Sequence, residues 1–110
     1  MFARQPLDYI LLEVGLGGRL DACNIIDPDL AIITSIALDH MDFLGNTRES
    51  IASEKAGILR QNIPAIIGEP DPPTSLMKAI ETQTVKAFFL HKDFNFTENK
   101  NNWSWQSRNK

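Results

Sequence analysis

Ionisable side chains collect in two short stretches of this 110-residue chain. The first, EVGLGGRLDACN, begins at Glu13, ends at Asn24 and includes Arg19 and Asp21. The second, ALDHMD, occupies residues 37–42. Each follows an apolar run typical of a buried strand, and open α/β sheets bind ligands just beyond the carboxyl ends of their strands. The two stretches therefore predict one wall of a ligand-binding site.

The acidic residues of these stretches allow two interpretations. A carboxylate in an apolar strand, such as Glu13, is costly to bury unless it is paired with a cation or bound to a metal, so a buried salt bridge and a metal site both remain open. Asp39, His40 and Asp42 are close enough in sequence to coordinate a hard cation. The same residues can instead cap turns, with His40 packed beneath them. No spacing typical of a structural zinc site occurs.

Lys55 lies on the apolar stripe of a predicted helix, beside Ile51, Ile58 and Leu59. Its stem can cover apolar surface while the ammonium reaches solvent. Alternatively, its amine is held away from water, as a nucleophilic or modified lysine requires. Gly57 in the same helix costs about 1 kcal/mol relative to alanine. We therefore expect another backbone to approach the helix closely at Gly57.

The glycines of the first stretch make a tight turn or bring backbone close to a phosphate, and the residues leave both open. A dinucleotide fingerprint would need glycine where Leu20 stands, and no helical pattern follows. Residues 15–24 are therefore expected to form an ordered loop. No phosphate-binding motif of the type G-x-x-x-x-G-K-[ST] occurs in the sequence.

Periodicity and turn residues predict an α/β fold. Strands are expected at residues 7–14, 29–36, 64–68 and 87–90, the first of them buried on both faces. Helices are expected from a cap at Asn46 or Thr47 to Arg60, and from residue 74 to residue 84. Residues 93–110 predict an irregular tail or a hairpin, because aromatic residues there alternate at a spacing of two.

Composition excludes several classes of partner. The net charge is −3, the isoelectric point is about 5.2, and the basic residues are scattered, so we expect no nucleic-acid or membrane surface. Cys23 is the only cysteine, which excludes an intrachain disulfide and fits the cytoplasm. No apolar run reaches the roughly 18 residues of a membrane span, and the first residues lack the pattern of a signal peptide.

Three stretches, EVGLGGRLDACN, TSIALDHMDFLG and RESIASEKAGI, resemble successive motifs of the folylpolyglutamate synthase/dihydrofolate synthase family, in the family's order and spacing. This family is a branch of the Mur-type ATP-dependent amide ligases. The resemblance covers residues 7–68 and implies a partial parallel sheet from a P-loop-type central ATPase domain. Residues 1–92 would be the C-terminal part of that domain, and residues 93–110 would lead toward a further domain.

The resemblance also implies roles for particular residues. Glu13 and His40 would be Mg²⁺ ligands, and Lys55 would be the lysine that the family carbamylates, giving the cation an oxygen ligand. The residues expected to orient substrate or brace the loop are Arg19, Asp21, Asn24 and Asp39. One departure from the family's pattern is Cys23, where threonine or another small residue is more usual.

By the same resemblance, the complete enzyme would use ATP and Mg²⁺ to join L-glutamate to dihydropteroate or a tetrahydrofolate through an acyl phosphate. We expect that enzyme to be cytoplasmic and monomeric, with this chain an internal fragment that is inactive alone. Two alternatives remain: another Mur-type amino-acid ligase, acting for example on a cell-wall precursor, and a truncated, non-catalytic remnant.

Overall fold

The computed structural model describes residues 6–108 of the chain. Three strands, β1 (Ala31–Ile33), β2 (Ala65–Ile67) and β3 (Ala87–Phe89), form a parallel sheet in the order β1-β2-β3. The helices are α1 (Met41–Leu44), α2 (Arg48–Ala56) and α3 (Thr74–Thr82), and a 3₁₀ helix spans Ala22–Ile25. The predicted α/β class and parallel sheet are therefore confirmed.

Helices α2 and α3 share one hydrophobic core with the sheet. Strand β1 shows why one face is covered: Ile33 is 3% exposed and Ile32 is 49% exposed. Successive strand side chains point to opposite faces, so the helices cover the face that carries Ile33. The core residues are Ala31, Ile33, Ile36, Ile51, Ala52, Ala56, Leu59, Ala65, Ile67, Leu76 and Ile80.

Each long helix begins at a defined polar cap. Thr47 and Ser50 form a capping box at the start of α2, so of the two predicted caps, Asn46 and Thr47, the structure uses Thr47. Helix α3 follows Pro73, which has no capping side chain, and the carboxylate of Glu49 accepts hydrogen bonds from the amides of Thr74 and Ser75 instead. These bonds, that from Ser75 foremost, lower the pKa of Glu49. One helix therefore supplies the cap of the next.

The prediction of a buried strand at residues 7–14 is wrong for this structure. No strand is formed there, and Tyr9 and Leu11 are 93% and 87% exposed. The residues have the composition of a strand, but a strand also needs hydrogen-bonded neighbours, and none pairs with this run within residues 6–108. Its apolar side chains consequently face solvent.

Other elements differ from the prediction mainly at their ends. Helix α2 ends at Ala56, with Gly57 as its right-handed C-cap, because the following amides bond to carbonyls three residues back and tighten the last turn; Gly57 is therefore not inside the helix. Strand β1 is shorter than predicted, and α1 was not predicted because four residues carry no helical periodicity. The hairpin alternative holds: β4 (Phe94–Glu98) pairs antiparallel with β5 (Trp103–Ser107). Within residues 6–108, no helix is long and apolar enough to cross a membrane.

Candidate active site

The loop that follows Val14 is folded around the carboxylate of Asp21. Its Oδ2 accepts hydrogen bonds from the amides of Gly15 and Leu16, at 3.0 and 3.1 Å, and its Oδ1 accepts one from Cys23 at 2.9 Å. These bonds, that from Cys23 foremost, hold the pKa of Asp21 below its ordinary value. The ionised carboxylate is therefore the form that closes the loop.

Cys23 connects the loop back to the segment before it. Its thiol donates a hydrogen bond to the carbonyl oxygen of Glu13 at 3.3 Å. The neighbouring Asp21 carboxylate raises the pKa of this thiol, which favours the protonated form that can donate. The departure from the usual small residue thus leaves a side chain that ties Glu13 to the loop.

The loop packs directly on the last turn of α2. The amide of Arg19 donates to the carbonyl of Glu54 at 2.9 Å, and its guanidinium pairs with the Glu54 carboxylate at 3.0 Å. A Cβ added at Gly57 would lie 2.6 Å from Cα of Arg19, and one at Gly18 would lie 2.8 Å from the Glu54 carbonyl oxygen. The close backbone approach predicted at Gly57 is therefore confirmed, and its partner is Arg19.

Asn24 and Arg60 complete the contact between the loop and α2. The Asn24 amide group donates to the carbonyls of Arg19 and Gly57, each at 3.0 Å, and its Oδ1 accepts from Arg60 at 2.9 Å. The Arg60 guanidinium also reaches Asp27, with 2.7 Å between Nε and Oδ1. Every polar atom of the Asn24 side chain thus has a partner in this interface.

Lys55 lies in the last turn of α2, between Glu54 and Gly57, both of which the loop contacts. A Cβ at Gly18 would come within 3.2 Å of Cα of Lys55. The side chain is half-buried, and within residues 6–108 its ammonium makes no hydrogen bond or ion pair. The structure thus leaves a lysine with no counter-charge beside the docked loop.

The other two predicted ligands are accessible. Glu13 is exposed, so its carboxylate needs no buried partner, and no salt bridge to it exists in the described part of the chain. His40 is also exposed and has a left-handed backbone, with φ of 50°. Its amide donates to Asp39 at 2.8 Å, and its Nε2 lies 3.6 Å from the Asp39 carboxylate. Asp39 thus orients His40 at the start of α1.

The donor types fit a divalent cation, although the described residues do not form a complete coordination shell. From residue 6 to residue 108, no group of three or more His, Cys, Asp and Glu side chains is placed to hold a metal ion. Only two of the three predicted ligands, Glu13 and His40, are of these types. Their side chains are uncommitted apart from the Asp39 contact, and a carbamate on Lys55 would add an oxygen donor of the kind Mg²⁺ prefers.

One buried polar group was not predicted from the sequence. Glu69 is 7% exposed; its carboxylate accepts from the amides of Ile36 and Asp71 and pairs with Arg48 at 3.1 Å. Arg48 also donates to the carbonyl of Ile36. This network fixes the chain beyond β1, where Asp39 and His40 follow, to the start of α2. A charged residue directly after the strand at 64–68 was the available signal.

The chain has a parallel α/β sheet with a polar loop docked beside it, and comparison with known families identifies the class of protein. The Mur ligase middle domain family matches residues 1–109. The chain belongs to this family, and within it to the folylpolyglutamate synthase/dihydrofolate synthase branch.

Two curated relatives illustrate the branch. The chain is 51% identical over 108 residues to a dihydrofolate synthase/folylpolyglutamate synthase of Haemophilus influenzae, covering 98% of the chain and 25% of the relative. It is 46% identical to the Escherichia coli protein of that name, covering 96% of the chain and 25% of the relative. The chain thus spans about a quarter of the length of these relatives.

A solved structure agrees with the fold. A bifunctional folylpolyglutamate synthase/dihydrofolate synthase with Mn, AMPPNP and L-glutamate bound superposes with a TM-score of 0.87 at 48% identity. The match covers 99% of this chain and 26% of that one. An E. coli structure in complex with DHPP and ADP has a TM-score of 0.81 at 45% identity, over 86% of this chain and 23% of that one.

Proposed function

We propose that this chain forms one wall of the active site of an ATP-dependent ligase that joins L-glutamate to dihydropteroate, to a folylpolyglutamate, or to both. The observation that carries the proposal is the docking of the loop on α2 beside the unpaired Lys55. Relatives that match nearly the whole chain are named for these two activities, and one is solved with Mn, AMPPNP and L-glutamate bound.

In this proposal, Glu13, His40 and carbamylated Lys55 hold a divalent cation. Bound there, Mg²⁺ would neutralise the negative charges of a phosphate and a carboxylate that must approach each other. The ammonium of Lys55 first loses one proton; the neutral amine then attacks CO₂ and loses a second proton, which leaves an anionic carbamate with oxygen donors. Within residues 6–108, no carboxylate pairs with Lys55, and this supports the role. An anionic carbamate on Lys55 would need no carboxylate beside it, because the bound cation would balance its charge.

The reaction proposed for the complete ligase has two steps. A carboxylate oxygen of the folate substrate attacks the γ-phosphorus of ATP, forming an acyl phosphate and ADP. The amine of L-glutamate then attacks the acyl carbon, loses a proton and displaces inorganic phosphate, which leaves an amide. Because such transfers depend mainly on positioning and charge, the residues that hold the site rigid are central to it.

The remaining predicted residues hold the loop and His40 in position in this proposal. Asp21 closes the loop through three backbone amides, Arg19 and Asn24 dock it on α2, and Asp39 orients His40. Of these four, Arg19 has a guanidinium that is still half exposed, so it can also reach a substrate anion. We propose that all four residues hold the site in position and that Arg19 also contacts a substrate anion.

Replacement of Lys55 in the complete protein tests the role of the carbamate. Lys55→Ala should lower kcat for glutamate addition at least about 100-fold, because loss of mere supporting partners of a metal ligand already costs roughly 10–100-fold. Acetate or propionate should restore part of the rate by placing a carboxylate in the vacated space. The matched control is Lys78→Ala on the exposed side of α3. Full activity of Lys55→Ala would refute the role.

Substrate competition separates the folate ligase from another Mur-type ligase. The complete protein should release phosphate from ATP when given L-glutamate with dihydropteroate or tetrahydrofolate, and not with a cell-wall nucleotide precursor. Phosphate release with the cell-wall precursor and not with the folate substrates would instead assign the protein to another kind of Mur-type ligase.

Activity of the 110-residue chain alone tests the proposed division of labour. Its sequence has no G-x-x-x-x-G-K-[ST] motif, so we expect weak ATP binding and no measurable glutamate-dependent phosphate release. We propose residues 1–92 as the C-terminal part of the ATPase domain, and 93–110 as the segment leading on from it. Turnover by the purified chain would show that it needs no further part.

A further inference from the structure

The proposed reaction assigns no role to Arg60, yet the side chain of this residue is extensively hydrogen-bonded. Its guanidinium makes five, to the Asp27 carboxylate, to the carbonyls of Gly57 and Leu59, and to both oxygens of Asn24. The distances range from 2.7 Å to Asp27 to 3.2 Å to Leu59. The arginine thus joins the residues just after α2 to the far end of the loop.

We propose that Arg60 is a positioning residue: it locks the loop to the end of α2 and thereby fixes Lys55 relative to Glu13. The inference rests on the proposed function, because it concerns the cation that Lys55 and Glu13 would share. It adds a residue that contacts neither predicted ligand directly.

A continuous set of contacts leads from Arg60 to Lys55. Arg60 donates to the carbonyl of Gly57, which also accepts from Asn24 at 3.0 Å. The amide of Gly57 in turn donates to the carbonyl of Glu54, the residue immediately before Lys55. The backbone that carries Lys55 is therefore held from the side of the loop.

A second set of contacts leads from Arg60 to Glu13. Arg60 binds Asn24, whose amide donates to the carbonyl of Asp21 at 3.0 Å. The Asp21 carboxylate holds the amide of Cys23, and the Cys23 thiol donates to the carbonyl of Glu13. Displacement of Asn24 would thus be transmitted to the backbone of Glu13 as well as to that of Gly57.

The geometry requires arginine rather than any cation. Three guanidinium nitrogens point to groups on both sides of the interface, whereas a lysine ammonium is a single compact donor that cannot span them. The positive charge also lies at the C-terminal end of α2, where helix carbonyls concentrate negative partial charge. Arg60→Lys therefore keeps the charge and removes the span, while Arg60→Met removes both.

The experiment uses the complete protein that carries this chain and measures Mn²⁺ binding directly, by electron paramagnetic resonance of free Mn²⁺ in the presence of a non-hydrolysable ATP analogue. We expect the Mn²⁺ dissociation constant to rise about 10-fold in Arg60→Met and by a smaller factor in Arg60→Lys, the range found when partners that orient a metal ligand are lost. Lys78→Met, on an exposed position of α3, is the control for charge loss and should leave it unchanged.

Thermal unfolding and the Mg²⁺ dependence of glutamate addition separate positioning from a purely structural role. A positioning role raises the Mg²⁺ concentration for half-maximal rate, and excess Mg²⁺ restores much of kcat. A purely structural role lowers the number of active molecules and leaves both metal constants unchanged, which would overturn the inference. If the unaltered protein neither binds Mn²⁺ nor adds glutamate, the proposed function fails and takes this inference with it.

Discussion

Two adjoining segments, the apolar run at residues 7–12 and the loop at residues 15–24, are held in opposite ways. The loop is fixed by directional polar contacts, many to its own backbone and the rest to α2 and the residues just after it. The apolar run has no strand partner in the described part of the chain, and Leu11 is 87% exposed. A polar loop can thus be specified by one neighbouring helix, whereas an apolar strand needs a sheet to enter.

The largest effect is expected from Gly57→Ala, which attacks the loop contact. Its Cβ would lie 2.6 Å from Cα of Arg19, so the backbones must separate. We expect a loss of about 3 kcal/mol in the free energy of unfolding, the upper part of the range for overpacking. Urea unfolding of the chain measures it. Gly68→Ala is the control, since its Cβ would meet only ordinary contacts, the nearest at 3.5 Å. Equal effects would mean that the loop does not dock closely.

The next effect is expected from Asn24→Leu, which keeps the branched shape and the number of side-chain heavy atoms and removes the hydrogen bonds. The carbonyls of Arg19 and Gly57 lose a donor, and Arg60 loses an acceptor. The expected loss is about 2 kcal/mol, within the range for leaving partly buried polar groups unsatisfied. The same urea titration measures it. A neutral result would show that water replaces the amide without cost.

Asp21 should give the loop a dependence on pH. Its pKa is lowered in the folded chain, so its stabilising effect is present above the unfolded pKa and is lost as pH falls through the folded pKa. Asp21→Asn should therefore reduce the stability of the folded chain at neutral pH. The difference in stability between the variant and the unaltered chain should become smaller in acid. Unfolding midpoints at a series of pH values below 5 measure this. A constant difference across the series would contradict the role of the charge.

The smallest effect is expected from Leu11→Ser in the apolar run. Because the side chain is 87% exposed, its replacement should change the stability of the 110-residue chain by no more than about 0.5 kcal/mol. A loss above 2 kcal/mol would mean that the run is buried in solution, and the contrast with the loop would disappear. Leu76→Ser, which alters a fully buried residue of α3, shows the response of the core.

Prediction from the sequence succeeded where the signal is local. The Thr47 cap, the strand containing Ile67, the ordered loop and the alternation of aromatics that forms the hairpin were all read from nearby residues. The prediction failed at residues 7–14. Their composition shows that they favour a strand, but it does not show whether a neighbouring strand is present to pair with them. It also missed Arg60 and Glu69, whose type alone does not identify the atoms they bind.

The sequence by itself determined the α/β class, the succession of strand, helix, strand, helix and strand from β1 to β3 apart from α1, and the two stretches that carry ionisable residues. Periodicity, capping and glycine act over a few residues, so they can be recognised without coordinates. Only the tertiary structure decided that Arg19 meets Gly57 and that Arg60 meets Asn24. Residues that meet in this interface are far apart in the sequence; Arg19 and Glu54, for example, are separated by 35 positions. The physical reason is that such contacts depend on how the sheet and α2 orient the loop.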